Sequence, residues 1–344
     1  MKIKNKRSSV TGFTLIEILV VVAIIAILAG ILLAALSGVQ DAAKKTQSST
    51  LMQSFGRACD EFALDHGKYP GILPDSAVDG INITPMQNAL LDLMGGARVK
   101  NSQSPPTVVN EYDDFASTAT RELPSMTDPI TGLVWDLAFD ETRFGEGALH
   151  DNHVHAPYFS PKAEDLKYTP YDQFSNDFQL PTLIDSWETP IIYLRGVRKS
   201  GPIIDSPENG LLPQYDLPGL DQHFEDALNM NASLLSTSAP GITDEKRIAY
   251  LTLALAHPTF WEITTANASS EFNAGVAWGT SRGRYILISA GSDRTYFEVA
   301  NEQMHEDQEI NPSNPFSSLH DPEDGEITPA MMETFNDVII FGGS

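Results

Sequence analysis

The sequence predicts an α+β protein built on one long N-terminal helix, apolar in its first half and amphipathic in its second, with the second half lying across an antiparallel sheet. Three observations carry this expectation. From Ile18 to Leu36 there is no charged or strongly polar side chain. Beyond it, Leu51, Phe55, Ala58 or Cys59, and Phe62 recur at a spacing of three to four residues, the mark of a helix with one apolar face. Apolar strand segments then appear late in the chain, at 191–194, 285–290 and 336–341. A stripe of that kind on a helix needs a sheet or another helix to cover it.

The apolar run is long enough to cross a hydrocarbon layer of roughly 30 Å at about 1.5 Å per residue. Lys2, Lys4, Lys6 and Arg7 precede it and hold the N-terminus on the cytoplasmic side, sending the rest outward. Glu17 is the exception within this greasy stretch. A carboxylate in a membrane helix costs on the order of 2.5 to 3.5 kcal/mol at the centre, and less near an end, so it calls for a partner.

Behind the basic leader, Gly12-Phe13-Thr14-Leu15-Ile16-Glu17 and the unbroken apolar run resemble the prepilin N-terminus of the type IV pilin superfamily. The resemblance implies cleavage between Gly12 and Phe13, methylation of the new Phe13 amine, and Glu17 as the fifth mature residue. The electrostatics agree. An ammonium at Phe13 and the Glu17 carboxylate of a neighbouring subunit can neutralise each other among apolar helices, and removing one would strand the other in low dielectric. A secretory signal cleaved near Ala34-Ala35-Leu36-Ser37-Gly38 competes, but the run is long for such a signal and Glu17 has no use in it. A plain single-pass anchor explains the length but not Gly12, Phe13 and Glu17 together.

On this reading residues 1–12 are a leader, 13–36 a transmembrane and assembly helix, 37–70 the amphipathic half with its closing turn, and 71–344 a globular head. One helix from Phe13 to Asp65 would measure roughly 80 Å at about 1.5 Å per residue. Gly56 within it costs about 1 kcal/mol relative to Ala, which packing must outweigh.

Acidic residues number 46 against 22 Lys and Arg, for a net charge of −24. Loss of the leader's four cations takes this to −28, which makes nucleic acid an unsuitable partner. Cys59, the single cysteine, excludes an intrachain disulfide and a thiolate metal cluster, and its helical position suits a small packed residue.

The helix is expected to end at Asp65-His66-Gly67-Lys68-Tyr69-Pro70-Gly71, with Gly67 as C-cap and Pro70 blocking continuation. A Gly-x-Tyr-Pro turn directly after the long helix resembles the G-type major pseudopilin of type II secretion. Thr84 as N-cap, Pro85 at the first position and Gly95 past the end predict a short helix between them, an element those pseudopilins also carry. From about 98 to 184 repeated prolines suggest a loop-rich insertion with a few short elements, and 295–335 reads as a second insertion.

His150, His153 and His155 offer three imidazoles within six residues, a set that can bind zinc, although no defined metal motif has this spacing. Asp185-Ser186-Trp187-Glu188-Thr189-Pro190-Ile191-Ile192-Tyr193 resembles the Asp-Pro-Trp-Gly-Asn-Pro-x-x-Tyr segment of G-type pseudopilins, with Asp185, Trp187, Pro190 and Tyr193 matching. Such a turn seats Trp187 on the core and launches a strand. Asp221 to Met230 reads as a helix, and 247–262 as strand or helix. Gly279-Thr280-Ser281-Arg282-Gly283 has the Gly-x-Ser-x-Gly pattern, but a strand rather than a helix follows, so it is read as a turn and not a nucleophile elbow.

Ile288-Ser289-Ala290-Gly291-Ser292-Asp293 and the later Asn336-Asp337-Val338-Ile339-Ile340-Phe341 resemble the calcium-binding turn of the same family. The resemblance implies Ca2+ held by Asp293 and Asp337, with Asn336 in place of an acid; oxygen ligands crowded in a turn suit a hard cation. Arg294 stands where a Gly is expected. Taken together, the resemblance implies a pilin fold and a structural filament subunit in the bacterial inner membrane, with its head on the periplasmic side. It would have no enzymatic role, and its partners would be itself, other pseudopilins, prepilin peptidase, the secretion assembly platform and membrane lipid. The alternative is an extracytoplasmic binding protein or metalloenzyme that uses a prepilin-like anchor.

Overall fold

The computed structural model describes residues 15–74, 78, 83–101, 120–122, 125–128, 131–150, 153–172, 175–204, 213–215, 233, 235, 251–252, 254–264, 276–298, 335 and 337–343; within these, the side chains of 31–37 and of some strand residues stand outside the described set. The chain divides into two compact units, Met1–Thr46 and Gln47–Ser344. Helix α1, Leu15–His66, contributes to both.

In the second unit the predicted stripe of α1 enters the core, with Met52 taking the buried place expected of Leu51, which is only partly buried at its edge. Met52, Phe55, Cys59 and Phe62 are fully buried and pack with Tyr193, Tyr285, Leu287 and Val338. Those four belong to a three-stranded antiparallel sheet of β9 (Ile192–Arg195), β12 (Tyr285–Ser289) and β13 (Val338–Gly342), with β12 in the centre. Phe55 meets the Tyr193 ring edge-on at 5.5 Å, a favoured aromatic geometry. The helix ends where its sequence dictates: Gly67 takes φ +70° and its N–H bonds the Ala63 carbonyl at 2.9 Å.

Helix α2, Pro85–Met94, starts with the full capping box, Thr84 accepting from the Gln87 N–H while the Gln87 side chain accepts from the Thr84 N–H. It also pins the turn that follows α1. Asn88 accepts from the Leu73 N–H at 2.9 Å and donates to its carbonyl at 3.1 Å, and Asp92 accepts from the Gly71 N–H and the Lys68 ammonium at 2.9 and 3.0 Å.

The segment expected to be a loop-rich insertion is instead rich in strands. β1 (Ala97–Asn101), β2 (Thr120–Glu122), β3 (Met126–Thr127) and β4 (Val134–Asp140) form an antiparallel sheet in which β4 pairs with each of the others. β5 (Leu149–His150) pairs β6 (His153–Val154), and β7 (Leu166–Asp172) pairs β8 (Ser175–Leu183). Val99, Leu137, Phe139 and Leu180 from these strands close a second core with Ile72, Ile83 and Leu91. The ambiguous 247–262 stretch is helical at 251–252 and 254–255, then becomes β10 (Ala256–Thr264), paired with β11 (Val276–Ser281). The Gly-x-Ser-x-Gly segment joins β11 to β12, strand to strand. Its serine therefore has no helix behind it, as an elbow requires. The helix expected at 221–230 falls outside the described residues.

Candidate functional site

Gly12 and Phe13 lie outside the described residues, whereas Glu17 is exposed in the first turn of α1, where the helix dipole favours a carboxylate. Around and after it, every Leu, Ile and Val from Leu15 to Leu28 is between 49% and 83% exposed. The helix is thus apolar on all sides and uncovered within its own unit. In water such a surface is unstable; lipid or other apolar helices must cover it. Among the described residues no helix is long and apolar enough to cross a membrane; the described apolar side chains stop at Gly30, while the sequence run continues through 31–36.

Residues 7–33 match the family described as the prokaryotic N-terminal methylation motif. The chain carries a type IV pilin-like N-terminus. That motif implies processing by prepilin peptidase, pilin-like assembly and inner-membrane anchoring through the N-terminal helix, with an extracytoplasmic domain beyond it. No curated protein and no solved structure matches the chain.

The head places the other candidates as follows. The turn at Asp185 has the expected form and an unexpected hub. Asp185 Oδ1 accepts from the Trp187 and Thr189 N–H groups, both at 2.9 Å, and Oδ2 accepts from the Ser289 hydroxyl at 2.6 Å. Burial pushes this carboxyl above the ordinary range, while those hydrogen bonds and the charge of Arg294 act the other way. Arg294, where a Gly is expected, adopts the left-handed conformation with φ +58°, a strain on the order of 1 kcal/mol for a side chain with a Cβ. Arg294 thus adds a cation near the buried Asp185.

Asp293 ends a short 3-10 turn, Gly291–Asp293, and its Oδ1 accepts from the Thr295 N–H at 3.0 Å. Asp337 is buried and both its oxygens accept from the Phe297 N–H, at 3.1 and 3.3 Å. The acid therefore ties the chain after the turn to the start of β13, a role the sequence did not disclose. Asn336 lies outside the described residues. Among the described residues no three His, Cys, Asp or Glu side chains gather as a metal-holding group.

The histidines are brought together only in part. His150 and His153 are backbone register partners in the β5–β6 ladder, and the His153 side chain is exposed. His155 leaves them to pack its ring 5.0 Å from His66 and stack on Tyr158. The Tyr158 hydroxyl donates to Asp65 at 2.8 Å and lies 3.0 Å from His66 Nε2. Burial and the Asp65 carboxylate push that phenol up to about 12. Cys59 is fully buried, and burial raises its thiol well above the usual range, which suits packing and not nucleophilic chemistry.

Proposed function

We propose that this chain is a structural subunit of a type II secretion pseudopilus or a related type IV pilus-like filament. It is cleaved between Gly12 and Phe13, methylated at the Phe13 amine and assembled through its N-terminal helix. The observation that carries this reading is the all-round apolar, uncovered surface of α1 from Leu15 to Leu28, joined to the methylation motif at 7–33. An unassembled subunit waits in the bilayer with that surface in lipid, and assembly exchanges lipid for neighbouring helices by close packing. Its partners are other copies of itself and other pseudopilins, with prepilin peptidase and the inner-membrane assembly platform acting on it. Glu17 sets register by meeting the Phe13 amine of the next subunit.

Glu17→Ala tests the pairing. Membrane insertion should persist, because removing a charge from an apolar helix favours the bilayer. Sheared or cross-linked filaments should fall at least tenfold in yield, the cost of an unpartnered ammonium being on the order of a few kcal/mol. Filaments at normal yield from the variant would refute it.

A further inference from the structure

Where α1 ends, the head contains a cleft of about 1100 Å3 whose walls carry Lys68, Arg195, Lys199 and Arg284. Four of the chain's 22 cationic residues thus meet in one concavity of a protein whose net charge is −24. They come from distant parts of the sequence. Arg195 sits opposite Tyr285 in the β9–β12 ladder, which puts Arg284 beside it, and the turn carrying Lys68 closes over the same end of the sheet.

The four cations are not equally committed. Arg195 donates to the carbonyls of Tyr69, Gly71 and Leu73, and Lys68 pairs with the buried Asp92 at 3.0 Å, so both shape the cleft. The Arg284 guanidinium donates to the Arg198 carbonyl at 2.7 Å. Neither Arg284 nor the exposed Lys199 pairs with a carboxylate among the described residues. Asp60, the one acid on the wall, accepts from the Tyr285 hydroxyl, so even with Asp60 and Asp92 counted against the four cations the cleft keeps an excess of positive charge. The positive potential of this cleft is therefore left over for a ligand, and low-dielectric walls concentrate it.

Size and lining decide what kind of ligand. A cleft of about 1100 Å3 far exceeds a single inorganic anion and lies just above the range of pockets for drug-sized ligands, about 300 to 1,000 Å3, which leaves room for a short peptide. Its walls also include Trp135 and Ile72, so a ligand needs apolar groups between its charges. The Trp135 indole N–H is itself buried and has no acceptor among the described residues, so the ring offers the cleft an apolar face. We propose that this cleft is a docking site for a short acidic peptide segment of a partner protein, whose carboxylates are taken by Lys199 and Arg284. The acidic surface elsewhere disfavours a polyphosphate chain, which presents many charges to it at once.

The test uses the full chain in detergent micelles and a fluorescein-labelled hexapeptide of alternating glutamate and alanine, followed by anisotropy. Saturable binding is expected, falling as salt screens the site and absent for the lysine-alanine counterpart. Lys199→Glu should weaken it about tenfold and Lys199→Arg should preserve it. Lys167→Glu, the same charge change at an exposed residue outside the cleft, should leave it unaltered. Equal weakening by Lys167→Glu, no weakening by Lys199→Glu, or stronger competition from a single-stranded oligonucleotide than from unlabelled peptide would each overturn the proposal.

Discussion

Gly56 lies on the buried face of α1, and Tyr285 gives the reason. A Cβ at residue 56 would stand 2.6 Å from the Tyr285 hydroxyl oxygen and 3.5 Å from its nearest ring carbon. The ring cannot step aside cheaply: it is 2% exposed and packed between Tyr69 and Tyr193 at 5.4 and 6.2 Å. Its hydroxyl also serves Asp60, one helical turn beyond Gly56. Gly56→Ala gains about 1 kcal/mol of helix propensity. Against this stand about 1 to 3 kcal/mol for overpacking and about 1.5 kcal/mol for a disturbed hydrogen bond to a carboxylate. The variant should be less stable by about 2 kcal/mol, or about 4 °C in the thermal midpoint of the full chain in micelles followed by circular dichroism. Tyr285→Phe removes the obstructing oxygen and leaves the 3.5 Å contact, which is ordinary packing. In that background Gly56→Ala should be neutral or stabilising by up to about 1 kcal/mol, a coupling that a double-mutant cycle reads directly. An Ala variant as stable as the parent, or a loss that persists in the Phe background, would refute the reasoning.

Asp185→Ala should cost about 3 kcal/mol by orphaning two N–H groups and a hydroxyl, whereas Asp185→Asn, which keeps an acceptor for both N–H groups, should cost under about 1 kcal/mol in urea unfolding. Because burial raises this carboxyl, the folded chain holds the proton more tightly than the unfolded one. Its contribution to stability therefore declines as pH rises from the ordinary value of 3.8 through the higher folded value. The Asn variant should lack that component of the pH profile, and an identical profile would contradict it. Asp337→Ala should lower stability by about 1 to 2 kcal/mol with or without calcium, since it orphans the Phe297 N–H. A loss seen only in calcium-containing buffer would contradict this and make Asp337 a cation ligand.

Elements governed by local chemistry were readable from the chain. The α1 stripe at 55, 58, 59 and 62, the Gly67 stop and the Thr84-Pro85 start of α2 depend on neighbours in sequence and stand as expected, whereas Met52 and not Leu51 takes the innermost place at the start of the stripe. The Asp185 turn was legible as a turn, but not as a hub, because Ser289 lies 104 residues away. The strands between 97 and 183 were hidden for a related reason. Pro170 and Pro181 fall inside β7 and β8, and β2, β3, β5 and β6 are two or three residues long, too short to display alternation. Their order comes from pairing with distant partners, as does the meeting of Lys68, Arg195, Lys199 and Arg284 in one cleft. His155 shows the limit of sequence proximity: of three histidines close together in the chain, it packs on His66 and Tyr158.

The proposed filament depends on a processed amino terminus that meets a neighbour's acid. Mass spectrometry of the terminal peptide from protein recovered out of membranes decides it. The account predicts a chain beginning at Phe13 and carrying a methyl group on its amine. A chain that still begins at Met1, or one that begins near Ser37, would contradict it.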